Sequence, residues 1–88
     1  MAGGWSLVDP YDPDVQEAAR FAVQTFAIQN KTRILFKDVW QARQQVATGR
    51  RFELLLEVTQ NGVRFRAKAL VMHHHGGLYS LNEWVWQD

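Results

Sequence analysis

The 88 residues carry ten Lys or Arg against nine Asp or Glu, a formal charge of +1, and 47% are hydrophobic. That length fits one domain around one core, and that apolar content excludes an intrinsically disordered chain. The balanced charge argues against a dedicated nucleic-acid arm, and the absence of cysteine excludes disulfides, zinc knuckles, iron–sulfur clusters and thiol nucleophiles.

Residues 1–11 read as irregular, with Gly3, Gly4 and Pro10 and little apolar periodicity. Asp12-Pro13-Asp14 then marks a helix start. Asp12 can cap, Pro13 fits the first turn where its missing N–H costs nothing, and Asp14 sits beside the positive helix end. The helix is expected over Pro13 to Gln29, with Val15, Ala18, Ala19, Ala22 and Phe26 on one face at spacings of three and four. Three of those five are alanines, so a sheet can approach that face closely. Phe21, Val23 and Ile28 widen the apolar arc.

After Asn30 the periodicity changes to that of strands. Ile34 to Gln44 is the first, with Asp38 interrupting its alternation and predicting a bulge or an edge. Phe52, Leu54, Leu56 and Val58 alternate with Glu53, Leu55 and Glu57 in the second. Asn61-Gly62, a strong hairpin signal, leads into Val63, Phe65, Ala67, Ala69 and Val71, alternating with Arg64, Arg66 and Lys68. A two-residue turn there pairs Val58 with Phe65, Leu56 with Ala67 and Leu54 with Ala69 on one face, and sets Glu57 opposite Arg66 on the other. A last strand, Leu78 to Trp86, follows His73-His74-His75-Gly76-Gly77. One helix followed by four strands on short connections makes an antiparallel meander packed on a single helix, an α+β domain whose outer sheet face is polar.

No Gly-rich phosphate loop, HExxH or nucleophile elbow occurs, and neither Ser6 nor Ser80 has an activating context. The expectation is therefore no catalytic residue, no cofactor and no enzyme. Asp9, Asp12 and Asp14 read as capping and solvated groups rather than a calcium site. On a strand His73 and His75 would share one face, but two ligands hold a metal weakly and no third is evident, so no metal site is assigned. A polar loop tip and a partner contact both remain open for them. Arg43, Arg50, Arg51, Arg64 and Arg66, with Glu53 and Glu57 interleaved, read as a mixed-charge solvated face, which speaks against nucleic acid. Gln45-Val46-Ala47-Thr48-Gly49 joins the first two of these strands as a narrow tip, and Gly3-Gly4 forms an N-terminal strip. A plain turn and a loose terminus are equally open readings from composition.

Those segments resemble the cystatins. Gln45-Val46-Ala47-Thr48-Gly49 is similar to the family's QxVxG first hairpin loop, with Ala47 where a second Val is usual. Ala19-Arg20-Phe21-Ala22-Val23 resembles the ARFAV helix signature of plant cystatins, at the family's spacing from the loop. Gly3-Gly4-Trp5 looks like the glycine-bearing trunk, and Asp12-Pro13 with Val15-Gln16-Glu17 echoes the plant helix entry. Two departures stand out. Gln24-Thr25-Phe26-Ala27 follows the signature where plant members continue Glu-His-Asn, and His73-His74, followed by His75-Gly76-Gly77, stands where the second loop usually carries Pro-Trp.

The resemblance implies a cystatin fold, with one long N-terminal helix packed on a four- to five-stranded antiparallel β-sheet. It also implies reversible inhibition of papain-like cysteine proteases by a wedge of Gly3-Gly4, the 45–49 loop and the second loop at His73, His74 and His75. The alternative is a non-inhibitory binding module or an engineered scaffold of that fold. The partners expected are papain-like proteases, with neither nucleic acid nor membrane, and a monomer whose first hairpin is a hinge for domain swapping. The chain lacks a run of about 18 apolar residues and begins without a basic, apolar leader, which predicts a cytoplasmic protein or the mature form of a secreted or vacuolar one.

Overall fold

A computed structural model describes residues 4–87. The elements are β1 (Ser6–Val8), α1 (Pro13–Gln29), β2 (Leu35–Ala47), β3 (Gly49–Gln60), β4 (Val63–His73) and β5 (Tyr79–Gln87). The five strands form one antiparallel sheet in the order β1-β2-β3-β4-β5, and α1 lies across one face.

The helix begins and ends where its caps dictate. The Asp12 carboxylate accepts the Asp14 N–H at 2.9 Å, Pro13 takes the first turn, and Asn30 closes the helix with its N–H on the Phe26 carbonyl at 3.0 Å. Lys31 follows in the left-handed region, φ 51°, which breaks the helix and turns the chain toward β2. Val15, Ala18, Ala19, Ala22 and Val23 are buried, so the small stripe does receive the sheet. Ile28 is an exception to the expected arc: it is 70% exposed, because nine residues, two and a half turns, set it on the opposite side of α1 from Ala19.

Opposite the alanines stand Phe52, Leu54, Leu56 and Val58 of β3, flanked by Ala67, Ala69 and Val71 of β4, all buried. Large side chains on the central strand face small ones on the helix, so the two layers approach closely. Asn61 and Gly62 both have positive φ, as a two-residue primed turn requires, and the turn sets the expected pairing: Val58 with Phe65, Leu56 with Ala67, Leu54 with Ala69. Glu57 and Arg66 are also opposed in register. Their side chains part, however. Glu57 accepts from the Trp40 indole at 3.0 Å, while the Arg66 guanidinium lies 4.5 Å above the Trp40 ring.

The alternation break at Asp38 is real. β2 is irregular between Phe36 and Asp38 and again between Val39 and Gln41, and the second shift turns Trp40 out of the core to 51% exposure. Two expectations need correction. Residues 1–11 are not wholly irregular, since Ser6, Leu7 and Val8 pair with Gln44, Arg43 and Ala42; three residues are too few to show a period. Leu78 belongs to the turn before β5 rather than to the strand, because Gly76 and Gly77, with φ 92° and 90°, carry the chain around until Tyr79.

Candidate functional site

The two hairpin turns, β2–β3 and β4–β5, lie at the same pole of the sheet, and a shallow cleft between them is lined by Val46, Thr48, Gly49, His73, His75 and Gly77. The first turn is tighter than a five-residue loop. β2 runs through Ala47 and β3 resumes at Gly49, with those two residues paired, so Thr48 alone is outside the ladder. Gly49 permits this for two reasons. Its φ is +134°, and a Cβ there would come to 2.8 Å from the His73 carbonyl oxygen. The missing side chain lets the first hairpin settle against the second.

Arg50 braces the base of the first hairpin. Its guanidinium is 2.7 Å from the Asp14 carboxylate on α1, donates to the Gln44 side-chain oxygen at 2.7 Å, and lies 4.8 Å over the Phe52 ring. One planar cation thus ties the helix start, β2 and the core together. Gln45 accepts from Arg51 at 3.5 Å, and Val46, 57% exposed, presents apolar surface at the tip.

The histidines do not share one environment. His73 ends β4, and its ring stacks on Tyr79 at 4.3 Å. His74 and His75 lie beyond the strand, so His73 and His75 do not form the same-face strand pair that alternation suggested. The His74 N–H donates to the Leu78 carbonyl at 2.7 Å, closing the turn, and its ring Nε2 is 2.8 Å from the Ser80 hydroxyl. His75 is exposed at the tip. Among the described residues no three His, Cys, Asp or Glu side chains gather as a metal site. The Tyr79 hydroxyl donates to Glu17 at 2.6 Å, and burial followed by that bond to a carboxylate pushes its pKa far above the usual phenol range.

The N-terminal strip approaches the same pole. β1 runs antiparallel to β2 from Val8 beside Ala42 to Ser6 beside Gln44, so the chain before it heads toward the level of Val46. Trp5 sits 5.8 Å from the Arg43 guanidinium, and Gly4 is exposed with open space around it. Gly3 lies outside the described residues. Of the expected site residues, 45–49, 73–75 and Gly4 therefore occupy one end of the molecule. The brace at Arg50, the Tyr79–Glu17 support and the 73% exposed Leu78 were not singled out as parts of it. Leu78 was legible in principle, as an apolar residue directly after two glycines.

Residues 7–83 match the family profile described as SQAPI, aspartic acid proteinase inhibitor. In sequence, a cystatin of Bitis arietans is 43% identical over 60 residues, 66% of this chain and 54% of that protein. Cystatin-1 of Crotalus adamanteus is 38% identical over 66 residues, 73% of this chain and 48% of that protein. The chain thus spans about half the length of these curated relatives. In structure, the salivary cystatin of the soft tick Ornithodoros moubata superposes with a TM-score of 0.85 at 18% identity, each chain covered in full. Dimeric human cystatin F gives 0.73 at 15% identity, with 99% of this chain and 88% of that one covered. The chain resembles the snake cystatins in sequence and has the cystatin fold, and it belongs to the family described as aspartic acid proteinase inhibitor.

Proposed function

We propose that this protein is a reversible, tight-binding inhibitor of papain-like cysteine proteases that fills the active-site cleft with Gly3-Gly4, the Gln45–Gly49 turn and the second turn at His73, His74 and His75. Cystatins are protease inhibitors, and this chain is not an enzyme. The observation that carries the reading is the seating of Gly49 against the His73 carbonyl, which fuses two hairpin turns into one narrow edge. A preformed edge loses little conformational entropy on docking. Its single unpaired residue, Thr48, is held by ladder pairs on both sides, so the tip resists the extended geometry that cleavage needs. A glycine trunk lets backbone pass where a Cβ would collide. Kinship with plant cystatins in particular rests on Ala19–Val23 and its spacing to the turn. In solution the protein is read as a monomer, with the β2–β3 hairpin as the hinge through which two copies would exchange strands.

A second reading, inhibition of an aspartic protease, is favoured by the family match over residues 7–83. Val46→Asp tests the first reading. It would place an unpaired charge at the centre of the docked edge, where truncations and charges cost most. Papain inhibition should weaken at least tenfold, about 1.4 kcal/mol, with circular dichroism unchanged. Unchanged inhibition by a folded variant would contradict the wedge.

A further inference from the structure

The opposite pole carries an unused motif. Asn30-Lys31-Thr32 is an Asn-x-Thr acceptor triplet for N-linked sugar, and the only one in the sequence. Asn30 is exposed, and its side-chain Nδ2 donates to the Phe26 carbonyl at 2.9 Å. Beside it opens a groove of about 470 Å³ that Asn30 and Thr32 themselves line, together with Phe26, Gln60, Phe65 and Trp86. Its volume is that of a small-molecule site.

The groove has the chemistry of a sugar seat. Trp86 and Phe65 are 41% and 40% exposed. The Trp86 ring is held edge-on by Phe26 at 5.5 Å, Trp84 at 5.4 Å and Phe65 at 5.9 Å, so it is a fixed platform and not a mobile side chain. An aromatic face is electron-rich and attracts the C–H-bearing face of a pyranose. The Gln60 side-chain oxygen at the rim can accept from sugar hydroxyl and acetamido N–H groups.

We propose that, when the chain passes through a secretory route, Asn30 carries an N-linked glycan whose first sugar rests on Trp86 and Phe65. The donor is a lipid-pyrophosphate-linked oligosaccharide. Nδ2 of Asn30 bonds to the anomeric carbon and loses one proton, while the lipid pyrophosphate departs with the electron pair of the broken C–O bond. The remaining N–H still serves Phe26. In the folded chain the Thr32 hydroxyl accepts from Gln60 at 2.7 Å, so attachment precedes the docking of β3. The glycan lies far from the inhibitory edge. Gly49 and Gln60 are opposite ends of β3, about 36 Å apart at roughly 3.3 Å per residue. Inhibition is left unchanged.

The test expresses the chain behind a cleavable leader in eukaryotic cells, reads occupancy by intact mass, and compares Tm with that of Asn30→Gln. The same glycosylated-minus-unglycosylated difference is measured in Trp86→Ala and, should that fold poorly, in the exposed Phe65→Ala. The expected result is occupancy, a Tm gain of roughly 4 °C from one weak stacking contact in a domain of this size, and loss of that gain in the aromatic variants. An empty Asn30, an occupied Asn30 with no gain, or a gain that survives in both aromatic variants would each overturn the proposal.

Discussion

Gly49 shows how much one side chain decides here. Alanine at that position would need φ near +134° and would press a Cβ to 2.8 Å from the His73 carbonyl, a backbone atom that cannot swing away. Gly49→Ala should therefore cost about 1–3 kcal/mol of stability and part the two turns. Paired urea melts and papain titrations would read both effects, and an alanine variant with native stability and inhibition would refute the close approach. Tyr79 makes a separate prediction. Its folded pKa is raised by burial and by Glu17. The contribution is therefore fully present below the unfolded phenol value of about 10 and lost as pH rises above it. Urea midpoints at pH 9 and pH 11 should fall more for the native chain than for Tyr79→Phe. Equal falls would mean that neither burial nor Glu17 raises the phenol.

At the scale of elements, the helix and the central hairpin were legible because each has local chemistry that agrees with its period. Asp12 and Pro13 start α1, and Asn61-Gly62 sets a register that then runs through Phe52 beside Val71. Asp12→Ala should cost about 1 kcal/mol through the lost bond to the Asp14 N–H, a Tm drop of roughly 4–8 °C by differential scanning calorimetry. A drop below 1 °C would show that Pro13 and the buried alanines hold the helix start without the cap. What was not legible depended on other elements. β1 exists only because β2 offers an edge, and Trp40 faces outward only because β2 shifts register against β3. None of those causes is local to the residue it moves.

At the scale of the molecule, the candidate site was legible as three separate segments and not as a surface. The residues 45–49 and 73–75 could be named from their resemblance, but their contact depends on Gly49, Arg50 and Tyr79, each of which reaches a partner 24 to 62 positions away along the chain. The layered build accounts for that dependence: α1 spans the sheet, so Asp14 and Glu17 at its start reach the bases of both turns. In the proposed function this joined edge plugs a papain-like cleft. The most direct measurement titrates the native chain into active papain, with pepsin in parallel, and reads residual activity against molar ratio. Papain activity should fall linearly to zero near equimolar inhibitor while pepsin keeps its activity. Full papain activity at several-fold excess, with pepsin inhibited instead, would contradict it and assign the chain to the aspartic reading.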